Sequence, residues 1–148
     1  MDVGFFRTHA LTKGLTGAEL ERFNNVVTKM PVKAGERLCV EGASAPGLFL
    51  IRDGSVKVTK KSGKSERTLA ELQGPTVLGE LELLSGRPCF ATVVALSDAE
   101  AYLLSVEAFE RLVNAGDAVA SKISRNIGRV VIDRLAETNV KLVSLMND

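Results

Sequence analysis

A mainly β domain flanked by helices (α+β) is what this sequence predicts, on three observations. First, from residue 30 to 104 short β-branched and apolar runs alternate with turn residues, giving about eight strands at roughly ten-residue spacing. Many short strands so spaced argue an antiparallel sandwich or barrel. Second, both ends carry helical periodicity instead. Leu20, Phe23 and Val27 recur before the strands, and Ile123, Ile127, Val131, Leu135, Thr138, Leu142 and Leu145 form one stripe after them. Third, 148 residues with 45% apolar and 25% charged side chains suffice for the core of one ordinary globular domain.

The segments follow in order. Residues 5–28 form a helical arm, with FFRTHALTKGL over 5–15 docking Phe5, Phe6 and Leu11 on the body. Thr16-Gly17-Ala18-Glu19 has the spacing of a capping box, Thr at the cap and Glu three on, so a helix covers about 17–28 and Pro31 ends it. Within 30–104, glycine-marked turns at Gly35, Gly42, Gly54, Gly63 and Gly74 separate the runs. Asp53-Gly54, between Leu48–Ile51 and Val56–Thr59, is the strongest hairpin signal. Ser105 caps the next helix, which carries Phe109 and Leu112 inward until Gly116, and Asp117 caps a long last helix reaching 146. Val130, Ile132, Val140, Val143 and Met146 widen its stripe beyond one face. The expectation is that its first half packs on the body and the rest against a second copy, as a parallel two-fold dimer.

Composition excludes several function classes. Nineteen basic against eighteen acidic residues leave a net charge of +1, which argues against direct DNA binding and against an anionic membrane surface. No apolar run approaches 18 residues, and the N-terminus lacks a secretory pattern, which points to the cytoplasm. Cys39 and Cys89 read as reduced thiols rather than a disulfide framework. His9 is the single histidine, with no companion ligands at helical or strand spacing, so neither a metal centre nor a Ser-His or Cys-His nucleophile pair is expected. Glu36, Glu41 and Glu71 show no paired spacing for general acid–base work. No catalytic residue, metal or cofactor is assigned, and an enzyme is not expected.

What remains is the stretch from Leu78 to Ala95, LGELELLSGRPCFATVVA. Gly79-Glu80, a short apolar run, Ser85-Gly86-Arg87-Pro88 and the β-branched Ala91-Thr92-Val93-Val94 suit a strand end, a short helix and a return strand. Backbone N–H groups gathered at such a turn favour an anion, and glycine lets a ligand approach the backbone. The stretch resembles the phosphate-binding cassette of cyclic nucleotide-binding domains, the effector module of catabolite activator protein and of the regulatory subunits of cyclic-nucleotide-dependent kinases. KAGERLCVEGASAPGLFLIRDGSVKV resembles the glycine-marked first half of the same β-roll, at Gly35, Gly42, Gly47 and Gly54. The resemblance covers about residues 10–140 within one domain over 1–148. It implies a cupin-like antiparallel β-roll (a double-stranded β-helix) over about 30–104, with N-terminal helices before it and C-terminal helices over about 105–146.

The resemblance also implies a site. Glu80 stands where the family's glutamate accepts the ribose 2′-OH, the amides of Gly79 and Leu81 line the pocket, and Thr92 matches the last hydroxyl position. Glu82 replaces the usual small residue and is expected to face solvent. Related cassettes read Pro-Arg-Ala-Ala-Thr, whose arginine grips the cyclic phosphate with a bidentate fork. Here the run is Pro88-Cys89-Phe90-Ala91-Thr92, so Cys89 occupies the arginine's place. A neutral thiol cannot supply that charge, which costs about 1.5–3 kcal/mol, roughly ten- to over a hundredfold in affinity. Arg87 swinging around Pro88, or Arg125, Arg129 or Arg134 reaching down from the last helix, are the available replacements, with Asp133 and Arg134 as a possible lid. Two functions follow. One is a regulatory signalling module for a cyclic nucleotide (cyclic AMP or cyclic GMP) or related small anion, reporting through its last helix. The other is a degenerate β-roll serving as a protein–protein adaptor.

Overall fold

The computed structural model describes residues 3–147; the boundaries expected at residues 1–2 and 148 lie outside the described residues. Its N-terminal arm is two pieces rather than one helix over 5–15. Helix α1 covers Val3–Thr8, and a single 3-10 turn covers Ala10–Thr12. His9 divides them because its Nδ1 accepts the Leu11 N–H at 3.1 Å, capping the second piece. Phe6 and Leu11 are fully buried and Phe5 partly so. Helix α2, Gly17–Val26, opens on a complete capping box: Thr16 Oγ1 accepts the Glu19 N–H, and Glu19 Oε1 accepts the Thr16 N–H at 2.8 Å. It ends at Val26, before Pro31. Strand β1 (Thr28–Val32) has already begun, and Pro31 sits inside it, on a sheet edge where a missing N–H is tolerated.

Seven further strands are β2 (Arg37–Cys39), β3 (Gly47–Asp53), β4 (Ser55–Ser62), β5 (Ser65–Gln73), β6 (Thr76–Leu78), β7 (Thr92–Ala95) and β8 (Ala99–Ser105). They form two four-stranded antiparallel sheets, ordered β1-β8-β3-β6 and β2-β7-β4-β5. The sheets face each other as an antiparallel β-roll. Asp53-Gly54 is not a hairpin. β3 pairs with β6 and β8, whereas β4 pairs with β5 and β7, so the dipeptide is a corner at which the chain leaves one sheet for the other. The tight hairpin lies one strand later, where Ser62 and Ser65 pair across Gly63-Lys64.

The two-residue period of β3 shows how the core divides. Leu48 and Leu50 point to the helices, into a cluster with Phe6, Phe23, Tyr102 and Ile123. Phe49 and Ile51 point into the roll, against Val56, Leu78, Val93 and Cys89. A strand buried on both faces needs the continuous apolar run Leu48–Ile51. Helix α3 (Glu80–Ser85) bridges β6 and β7. Helix α4 (Val106–Asn114) is capped by Ser105, whose Oγ accepts the Ala108 N–H at 3.0 Å. Helix α5 (Ala118–Met146) is capped by Asp117, which accepts the Val119 N–H at 2.9 Å.

The first half of α5 is anchored firmly. Ile123 and Ile127 are fully buried, and the Asn126 amide donates to the carbonyls of Leu11 and Lys13. Lys122 pairs with Glu19 at 2.6 Å, and the Arg22 fork holds Asp117. Beyond Arg134 the helix runs past its buried anchor, and Leu135, Val140, Leu142, Val143, Leu145 and Met146 are exposed. No helix among the described residues is long and apolar enough to cross a membrane.

Candidate functional site

A cavity of about 710 Å³ lies between the β4–β5 face, α3 with the 90–91 turn, and the underside of α5. Its walls include Val58, Leu72 and Val93 from the roll and Val131 and Leu135 from α5. The cassette forms its floor. Gly79 has φ +82°, and a Cβ there would collide with the Gly47 carbonyl oxygen. Only glycine lets β6 turn into α3 this close to the first residue of β3. That is a structural reason for the glycine of the Gly-Glu pair, independent of any ligand.

Glu80 lines the cavity and is buried, and its carboxylate is already engaged. The Arg134 guanidinium donates to Glu80 Oε1, to the Val77 carbonyl at 2.8 Å and to Thr76 Oγ1 at 3.3 Å. One arginine of α5 thus ties the helix to both the end of β6 and the start of α3. Glu82 differs from its expected place. It is buried, 8% exposed, lines the same cavity, and its Oε1 accepts the Phe90 N–H at 3.3 Å. The reason is geometric: α3 packs Leu83 inward, and the 89–91 turn closes over the preceding residue, so Glu82 meets a backbone donor instead of water.

The remaining cassette residues separate. Leu81, Phe90 and Ala91 line the cavity. Phe90 is about half exposed and carries Lys60, whose ammonium donates to its carbonyl and lies 5.3 Å above its ring. Cys89 is buried in the inter-sheet core beside Cys39 rather than turned into the cavity. Its backbone is fixed from both sides, its N–H donating to the Ala43 carbonyl at 2.9 Å and its carbonyl accepting the Gly42 N–H at 2.7 Å. Burial, reinforced by Cys89, pushes the Cys39 thiol far up, so Cys39 stays neutral. Arg87 is exposed with its amide on Ser85 Oγ and does not line the cavity. Thr92 Oγ1 accepts the Glu41 N–H at 3.0 Å, which pins the neighbouring strand turn. Asp133 is exposed and outside the cavity. Arg125 and Arg129 are likewise exposed, with Arg129 donating to Asn126.

The site therefore contains two buried carboxylates, a neutral thiol behind them and one arginine from above. Two features escaped sequence reasoning. Glu82 sits two residues from Glu80, a spacing that on a full helix would place them apart. The cavity also extends to Glu137, Thr138 and Lys141 on α5, which only the crossing of the helix over the roll brings near. Among the described residues no group of three or more His, Cys, Asp or Glu is placed to hold a metal ion.

Comparison with known proteins gives a consistent picture. The sequence profile described as "Cyclic nucleotide-binding domain" matches residues 29–115. Glutaminase 1 of Bradyrhizobium diazoefficiens is 30% identical over 132 residues, 89% of this chain and 21% of that protein. The cAMP-dependent protein kinase type II regulatory subunit of Drosophila melanogaster is 30% identical over 104 residues, 70% of this chain and 28% of that protein. The chain thus spans under a third of either relative. The crystal structure of the Thermus thermophilus catabolite activator protein superposes with a TM-score of 0.77 at 25% identity, covering 93% of this chain and 63% of that one.

Proposed function

The chain belongs to the cyclic nucleotide-binding domain family, and from that premise we propose that it is a non-catalytic ligand-sensing module that signals through α5. One observation carries the reading: Arg134 of the C-terminal helix is bonded to Glu80 and Val77 at the mouth of the cavity. A molecule that claims the Glu80 carboxylate must compete with that link, so occupancy and helix position are coupled. A ligand shifts a conformational equilibrium only through such differential contacts. The cavity's carboxylates support a non-catalytic role. Glu80 is paired with Arg134 and Glu82 accepts the Phe90 amide, so neither stands ready as a general base.

The output surface is the exposed end of α5. Ile132, Val140, Val143 and Met146 are exposed on this part of the helix and lie outside the cavity lining, and we propose that a second copy covers them in a parallel two-fold dimer. A second function has its own observation. Cys89 is buried in the core and Glu80 is already neutralised, which favours a roll that no longer takes cyclic nucleotide and acts as an interaction adaptor.

Isothermal titration with cyclic AMP, cyclic GMP and the parent nucleosides, paired with hydrogen exchange over residues 131–146, tests the sensor. The expected result is that a bound ligand changes amide protection along that segment. A ligand that binds tightly and leaves the segment unchanged defeats the signalling reading. Silence from the whole panel transfers the chain to the adaptor.

A further inference from the structure

We infer that Glu82 occupies the cavity's own anion seat, so that the pocket receives a ligand without negative charge that brings hydroxyl or amine donors. This rests on the reading of the cavity as the ligand site. The observation is the bond from the Phe90 N–H to Glu82 Oε1, made by a carboxylate buried in the cavity wall. A carboxylate and a phosphate want the same partner, a backbone amide pointing into a hollow. Here the protein supplies the anion itself.

The charges lining the cavity are on balance negative, which disfavours a further anion. Glu71, Glu80, Glu82 and Glu137 line it against Arg134 and Lys141. Arg134 is committed to Glu80, Thr76 and the Val77 carbonyl, and Lys60 is turned outward onto the Phe90 carbonyl and ring. Cys89, buried in the core, adds no positive charge. A ligand phosphate at the Phe90 amide must displace Glu82 or sit beside it. At roughly 5 Å and an effective dielectric of about 20, two like charges cost about two orders of magnitude in affinity. Carboxylates accept and do not donate, so a ligand that uses Glu80 and Glu82 must carry O–H or N–H groups. The apolar walls from Val58, Leu72, Val93 and Leu135 suit a ring between them.

Adenosine and cyclic AMP make a direct pair of probes because they share base and ribose and differ at the phosphate. Isothermal titration of the full chain, with Glu82→Gln and Glu82→Ala beside it, tests the inference; unchanged thermal melts certify that each variant folds. Expected are adenosine binding at least about tenfold tighter than cyclic AMP in the unaltered chain, and a gain in cyclic AMP affinity of about tenfold or more in Glu82→Ala. That gain supports the seat even if the unaltered chain binds neither probe. Cyclic AMP binding the unaltered chain as tightly as adenosine overturns the inference and leaves the cavity a ligand site. Silence from both probes in all three proteins overturns it together with the ligand-site reading.

Discussion

Replacing Arg134 with alanine is the most informative single perturbation. In the folded chain its side chain is about a third exposed (35%), while the Glu80 side chain is 9% exposed. Removing one partner of a fully buried ion pair costs about 3–5 kcal/mol, because the other charge is left without compensation. Water reaches the arginine side here, so that figure must be reduced. Counting one charge-assisted bond and the Val77 carbonyl bond with solvent partly replacing them gives about 1–3 kcal/mol. For a chain of 148 residues, about 2–4 °C of melting temperature per kcal/mol predicts a fall of about 2–12 °C. Thermal or urea melts of Arg134→Ala, Glu80→Gln and the double variant close a mutant cycle. A coupling energy of at least about 1 kcal/mol is expected, since contacting charges are not additive. If the two single effects simply add, to within about 0.5 kcal/mol, Arg134 and Glu80 do not act as a unit. The proposed link between cavity and helix would then have no energetic basis.

Three further outcomes are expected. Gly79→Ala forces a Cβ against the Gly47 carbonyl at positive φ and should cost at least about 1–3 kcal/mol, read by denaturant melts; a neutral change would mean the β6–α3 turn is looser than described. The Lys122 ammonium, with help from the Thr16 amide, lowers the Glu19 carboxyl from 4.5 to about 2. A depressed acid stabilises the fold above its unfolded value and loses that contribution as pH falls toward its folded value. Melting temperature should therefore drop between pH 4.5 and about 2 more steeply in the unaltered chain than in Glu19→Gln. Parallel slopes would contradict the assignment. Sedimentation of the unaltered chain should give a dimer that Ile132→Glu with Val143→Glu, two exposed positions outside the cavity lining, dissociates, leaving the melting of the roll unchanged; a monomer at high concentration removes the dimer proposal.

Local chemistry made much of the architecture legible. Thr16 with Glu19, Ser105 and Asp117 are side chains that cap their own helices, so the signal and the structure lie within three residues of each other. The glycine-marked strands were equally readable, because tight corners between short runs need few long-range facts. Asp53-Gly54 misled for the opposite reason. A turn dipeptide announces that the chain bends, and only the partners of β3 and β4, tens of residues away, decide whether the flanking strands pair. Pro31 misled similarly, since its tolerance depends on β1 lying at an edge. At the site, Gly79 and Glu80 were visible as a pair, but the buried state of Glu82 depends on where the 89–91 turn closes. Arg134 reaches Glu80 across 54 positions, and that contact exists only because α5 is anchored by Asn126 and Lys122 further back.

The anchoring of α5 at one end makes it a lever. From Arg134 to Met146 is twelve residues, about 18 Å of helix at about 1.5 Å per residue. A tilt of about 10° at the pivot would carry the far tip some ~3 Å sideways, more than half a helical pitch of about 5.4 Å. Displacing one side chain near the pivot therefore produces movement on the scale of a protein contact, with the β-sheets staying still.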